Sequence, residues 1–179
     1  MKARPYWLSR IEQAWRHRPI VWLQGVRRVG KTTLTQMLPD AVYLNCDLPS
    51  TSRRLDDPEL FFLSMRQGTT VALDEVHRLA DPSRVLKVAA DAFKHIRIIA
   101  TGSSTLAATG KFRDSLTGRK TVVHLLPVLW PECEGAFESP DLDHRLLHGG
   151  LPESLLAFRK RATERPAVQA ALQAEGLNR

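Results

Sequence analysis

Gly25-Val26-Arg27-Arg28-Val29-Gly30-Lys31-Thr32 sets two glycines, an ammonium and a hydroxyl at the spacing G-x-x-x-x-G-K-[ST]. Gly25 and Gly30 allow backbone angles and a close approach that a Cβ would forbid. Successive N–H groups can therefore wrap a phosphate. Lys31 adds a mobile positive charge able to bridge β- and γ-phosphate oxygens, and the Thr32 hydroxyl is a hard ligand suited to Mg²⁺. Thr33 is expected to bond the α-phosphate or to cap the helix that follows. Arg27 and Arg28 are expected to face solvent, with contact to nucleotide or to a partner as the alternative. The whole run from Gly25 to Thr33 is the candidate nucleotide-binding set.

Val71-Ala72-Leu73-Asp74-Glu75 is an apolar run ending in two carboxylates. Mg²⁺ needs oxygen ligands and keeps several waters, so Asp74 is the expected metal partner across from Thr32. Glu75 is then free to orient or deprotonate an attacking water. Thr101-Gly102-Ser103-Ser104 brings hydroxyls to the end of another apolar run, and Ser103 is a candidate for contact with the γ-phosphate or the water. The alternative there is an ordinary Gly-Ser turn. Arg119, after Gly118, is a candidate to stabilise phosphoryl charge on a neighbouring subunit, with a solvated loop arginine as the alternative.

These groups need strands to deliver them. Short apolar runs bounded by turn residues predict strands at Pro19–Gln24, Ala41–Cys46, Thr70–Leu73, Ile96–Thr101 and Thr121–Leu126. Apolar residues at helical spacing predict helices over Pro5–Arg18, Lys31–Leu38, Glu59–Arg66 and Ser83–Lys94. The polar, proline-containing stretch from Asp47 to Pro58 predicts a loop. Such alternation is the pattern of an α/β domain with a parallel sheet covered on both faces, whose ligands sit at the carboxyl ends of the strands. The expected division is a nucleotide-binding core over 1–128 and a helical segment over 129–179, with helical pieces near Trp130–Phe137, Asp143–His148 and Pro152–Arg161.

The 179 residues carry 43% apolar and 25% charged residues, close to the average for globular proteins, which excludes disordered and fibrous classes. The formal charge of +7 suits polyanionic partners, although arginines on solvated faces produce the same figure. Cys46 and Cys133 offer neither a disulfide framework nor a zinc spacing, and a reducing cytoplasm is the expected compartment. The apolar stretch Ile20-Val21-Trp22-Leu23 is too short for a membrane or signal segment.

Together with Leu73-Asp74-Glu75-Val76-His77-Arg78, Ala100-Thr101-Gly102-Ser103-Ser104, Ser115-Leu116-Thr117-Gly118-Arg119, Leu125-Leu126-Pro127-Val128 and Gly149-Gly150-Leu151-Pro152-Glu153, the loop resembles the prokaryotic AAA_14 family of AAA-like ATPases. The resemblance implies a P-loop NTPase three-layer sandwich with a five-stranded parallel sheet in the order 5-1-4-3-2. It also implies ATP with Mg²⁺, and Lys31, Thr32, Asp74, Glu75, Ser103 and Arg119 in the roles argued above. Members usually continue with a C-terminal domain of unknown function, which this chain is expected to lack. The expected activity is Mg-dependent ATP hydrolysis coupled to a conformational switch, in a chain that self-associates or engages a protein partner. A non-hydrolysing nucleotide-binding remnant and a nucleic-acid-associated ATPase are the alternatives.

Overall fold

The computed structural model describes residues 2–102, 116–135, 137, 143, 145–146 and 149–156. Five strands form one parallel sheet: β1 Ile20–Gln24, β2 Val42–Asn45, β3 Thr70–Asp74, β4 Arg97–Thr101 and β5 Lys120–His124. Their order is β2-β3-β4-β1-β5, the expected order read from the other edge. Register pairs Val21 with Ile99 and Thr121, Val71 with Ile98, and Asn45 with Asp74. Strands β1, β3 and β4 are central and almost wholly buried, which is why each reads as a continuous apolar run rather than an alternating one.

The helices are α1 Pro5–Trp15, α2 Lys31–Gln36, α3 Pro49–Leu55, α4 Pro58–Leu63, α5 Pro82–Ala92 and α6 Trp130–Glu134. The α1 stripe is Trp7, Ile11 and Trp15, all buried as their i, i+4, i+8 spacing requires. Trp15 Nε1 donates to the Ile98 carbonyl at 2.8 Å, and the Arg97 guanidinium covers the same indole 4.9 Å from its centroid. Buried Leu44, Phe62, Leu73, Leu86 and Ile98 form the core between sheet and helices.

One expectation needs correction. The stretch from Asp47 to Pro58 is not a loop, because α3 occupies Pro49–Leu55. Proline at the first helical position loses no hydrogen bond and supplies a suitable φ, so Pro49 opens a helix rather than interrupting a turn. Thr51 and Leu55, four residues apart, are its buried face. Pro58 opens α4 in the same way, with Asp57 accepting the Leu60 N–H at 3.1 Å.

The chain divides into two compact units. One comprises residues 3–26 and 30–125 and contains the sheet; the other comprises residues 27–29 and 126–179. Within the second, Val128, Cys133, Phe137 and Leu155 form a small apolar cluster. Gly149 adopts φ 72°, a backbone conformation that favours glycine, and a Cβ on Gly150 would stand 3.1 Å from Pro127, a tight approach. Among the described residues, no helix is long and apolar enough to cross a membrane.

Candidate nucleotide site

The β1–α2 loop follows the buried strand β1 directly. Arg28 at φ 65° and Gly30 at φ 96° turn the chain through left-handed backbone before α2 begins at Lys31. No side chain caps the first turn of α2. Its N–H groups therefore face the loop, where the positive end of the helix dipole favours an anion. Lys31 Nζ donates to the carbonyls of Gly25 at 2.9 Å and Val26 at 3.1 Å. The ammonium is thus folded over the strand-side end of the loop. Val26, Arg27, Arg28 and Thr32 are exposed, Gly25 and Thr33 are half-buried, and Val29 is buried. Within the second unit, Arg28 Nε lies 3.8 Å from the Glu153 carboxylate, between two well-exposed side chains.

Asp74 ends β3 with only 3% of its surface exposed. A buried carboxylate needs donors, and Asp74 has two whose contact with it no sequence spacing indicated. Thr101, at the end of β4, donates its hydroxyl to Oδ1, and Tyr43 on β2 donates to Oδ2 at 2.8 Å. Tyr43 is pushed well above the usual tyrosine range, by burial first and by the Asp74 hydrogen bond and charge second, so it remains a donor. The signal available in the sequence was positional: Thr101 ends β4 and Tyr43 lies within β2, the two strands that neighbour β3.

The Thr101 oxygen also accepts the Glu75 backbone N–H at 3.0 Å. Glu75 itself takes φ 55°, an uncommon conformation for a residue with a Cβ, and the chain then turns into a 3₁₀ segment at Val76–Arg78. The turn ends the strand and leaves the Glu75 side chain partly exposed. His77 Nδ1 lies 3.2 Å from Glu75 Oε2, close enough for an ion pair but off the hydrogen-bond line. Cys46, just after β2, is buried, and burial together with the charges of Asp74, Asp47 and Glu75 pushes its thiol up to about 12.

The structure thus brings Gly25, Lys31, Asp74 and Glu75 to the carboxyl end of the sheet, with α2 packed against β3 and β4. Ser103 lies outside the described residues. Arg119 is not brought there. It precedes β5, and its carbonyl accepts the Ile20 N–H, so it lies at the amino end of the sheet. The five residues of β1 span roughly 16 Å between that end and the loop. Arg119 there makes a two-point pair with Asp91 of α5, at 2.6 and 2.9 Å, and this contact holds the Asp91 carboxyl below its usual range.

A hydroxyl and a carboxylate of this kind fit Mg²⁺, which takes oxygen ligands, retains waters and accepts phosphate oxygens as the remaining partners. Thr32 and Asp74 would hold it. Such an ion would supply charge neutralisation at the phosphates, where Lys31 and the loop N–H groups would fix the phosphate chain and Glu75 would orient water.

The family model AAA_14, an AAA domain, matches residues 17–134. Uncharacterised proteins of Mycobacterium tuberculosis and Mycobacterium bovis are each 32% identical over 154 residues, covering 83% of this chain and 33% of theirs. The chain therefore spans about a third of the length of the curated relatives it matches. Among solved structures, Thermotoga maritima RuvB superposes with a TM-score of 0.62 at 15% identity, covering 94% of this chain and 64% of that one. The Aeropyrum pernix ORC1 protein in complex with DNA gives 0.59 at 14%, covering 98% and 65%. At such identities these two share a fold with the chain.

Proposed function

Since the chain belongs to the AAA_14 family of AAA domains, we propose that it binds ATP with Mg²⁺ and hydrolyses it, coupling turnover to a change in a partner-facing surface. The observation that carries this reading is the arrangement at the end of β3. One hydroxyl, Thr101 Oγ1, binds both the Asp74 carboxylate and the Glu75 backbone, which supports Asp74 as the metal ligand and Glu75 as the acid that orients water. A domain that only stored nucleotide would have no use for the second acid. Phosphate release by the wild type, set beside Glu75→Gln, tests the proposal. The expected result is retained ATP binding with turnover reduced by about a hundredfold or more. Equal turnover in the two proteins would remove Glu75 from the chemistry.

Asp74→Asn separates metal binding from nucleotide binding. Loss of the anionic ligand should weaken binding in Mg²⁺ more than in EDTA. An equal loss in the two conditions would count against Asp74 as the metal partner.

One observation favours a second reading, association with nucleic acid. Hydrogen bonds from Gly68 to His95, from Ile98 to Pro19 and from Ile20 to Arg119 bind the segments at the amino end of the sheet side by side. Those segments carry Arg16, Arg18, Arg66 and Lys94, all exposed. Such a row suits a phosphate backbone. Changing these four residues to Gln should reduce both duplex-DNA affinity and the steepness of its salt dependence, while ATP affinity stays fixed. DNA binding that ignores the four changes would dismiss this reading and leave the ATPase proposal standing.

A further inference from the structure

The phenol of Tyr43, on β2, reaches the carboxylate that would hold the metal. It donates to Asp74 Oδ2 at 2.8 Å on β3. We infer that Tyr43 is a positioning residue for the metal-bound nucleotide: it fixes the rotation of the Asp74 carboxylate. The inference rests on the proposed Mg–ATP site and extends it to a residue on β2, outside all the motifs.

Mg²⁺ tolerates little departure from octahedral geometry, so its affinity depends on how well each oxygen is aimed before the ion arrives. Asp74 can rotate about its terminal torsion, a soft and broad coordinate. Thr101 holds one oxygen, and a single donor still allows the carboxylate to pivot about that contact. The Tyr43 hydrogen bond on the second oxygen removes the pivot. Each carboxylate oxygen has a further lone pair, so the two donors do not use up the capacity to face an ion or its waters. Partners of this kind orient metal ligands, and their removal typically costs about ten- to a hundredfold in metal affinity.

The test is a fluorescence titration of the full chain with the N-methylanthraniloyl derivative of ATP, in EDTA and across a Mg²⁺ series, comparing wild type with Tyr43→Phe. The expected result is an unchanged affinity in EDTA and a rise of about tenfold or more in the Mg²⁺ concentration that half-restores tight binding. Tyr43→Gln, which keeps a donor at this position, should recover part of the wild-type Mg²⁺ midpoint, and it supplies the answer if Tyr43→Phe does not fold. Matching Mg²⁺ midpoints in variant and wild type would overturn the role of Tyr43 alone. So would equal losses in EDTA and in Mg²⁺, which mark a structural part. A wild type that binds no labelled ATP in either condition would overturn the nucleotide site itself, and Tyr43 with it.

Discussion

Lys31 Nζ stands 2.9 Å from the carbonyl oxygen of Gly25, the five-atom side chain folding back over its own motif. A second contact, to the Val26 carbonyl at 3.1 Å, keeps the ammonium there. An incoming phosphate has to draw the charge away from these carbonyls, which are weaker partners than an anionic oxygen.

Lys31→Ala should therefore lower ATP affinity by about ten- to a hundredfold, the value of a hydrogen bond to a charged group. The melting temperature without nucleotide should barely change, because the side chain is not part of the core. Calorimetric titration with ATP and a thermal melt read the two quantities. Unaltered affinity would remove the loop from the phosphate site.

Gly102 follows β4 where a Cβ would lie 2.8 Å from the Trp22 ring. Trp22 is 1% exposed, so its ring shifts only by displacing packed neighbours. Gly102→Ala should destabilise the fold by about 1–3 kcal/mol through overpacking. Urea unfolding checks this, and a stability equal to wild type would mean that the indole moves freely.

Much of this was legible in the sequence. The inner residues of β1, β3 and β4 are apolar because both of their faces are buried, and a run of that kind shows without any partner in view. The loop and Asp74-Glu75 carry their chemistry in consecutive residues. Helix α3 was misread because Pro49 and a Ser/Thr-rich start look like a turn, and only burial of Thr51 and Leu55 settles the matter. The contacts of Tyr43 and Thr101 with Asp74 were not legible because they run across strands, 31 and 27 residues apart in the chain, where no spacing rule reaches.

Cys46 offers a pH-dependent check. Its thiol is pushed up to about 12, chiefly by burial and then by nearby carboxylates, so the folded state disfavours the thiolate. In the unfolded chain the thiol titrates about 8.5. The native state thus binds the proton more tightly, and this contribution to stability is complete below about pH 8.5 and is lost as pH rises toward 12. Alkylation by iodoacetamide at pH 8 should be slow at Cys46 in the native protein and rapid in urea. Fast native labelling, located by peptide mass mapping, would contradict the burial of this thiol.

The last prediction concerns Arg119, which the structure sets at the amino end of edge strand β5, paired with Asp91 and remote from its own chain's loop. Any part it takes in hydrolysis has to be played on a neighbouring copy, and the guanidinium must first leave Asp91. Asp91→Asn removes the charge that holds it, so turnover should rise at a given protein concentration. Arg119→Ala should lower turnover without changing ATP affinity, because a group that meets only developing phosphoryl charge acts on the transition state. Mixing Arg119→Ala with Lys31→Ala should restore activity, since one subunit keeps a working loop and the other keeps the arginine. Identical turnover in wild type, Asp91→Asn and Arg119→Ala across a range of concentrations would confine Arg119 to bracing β5 against α5.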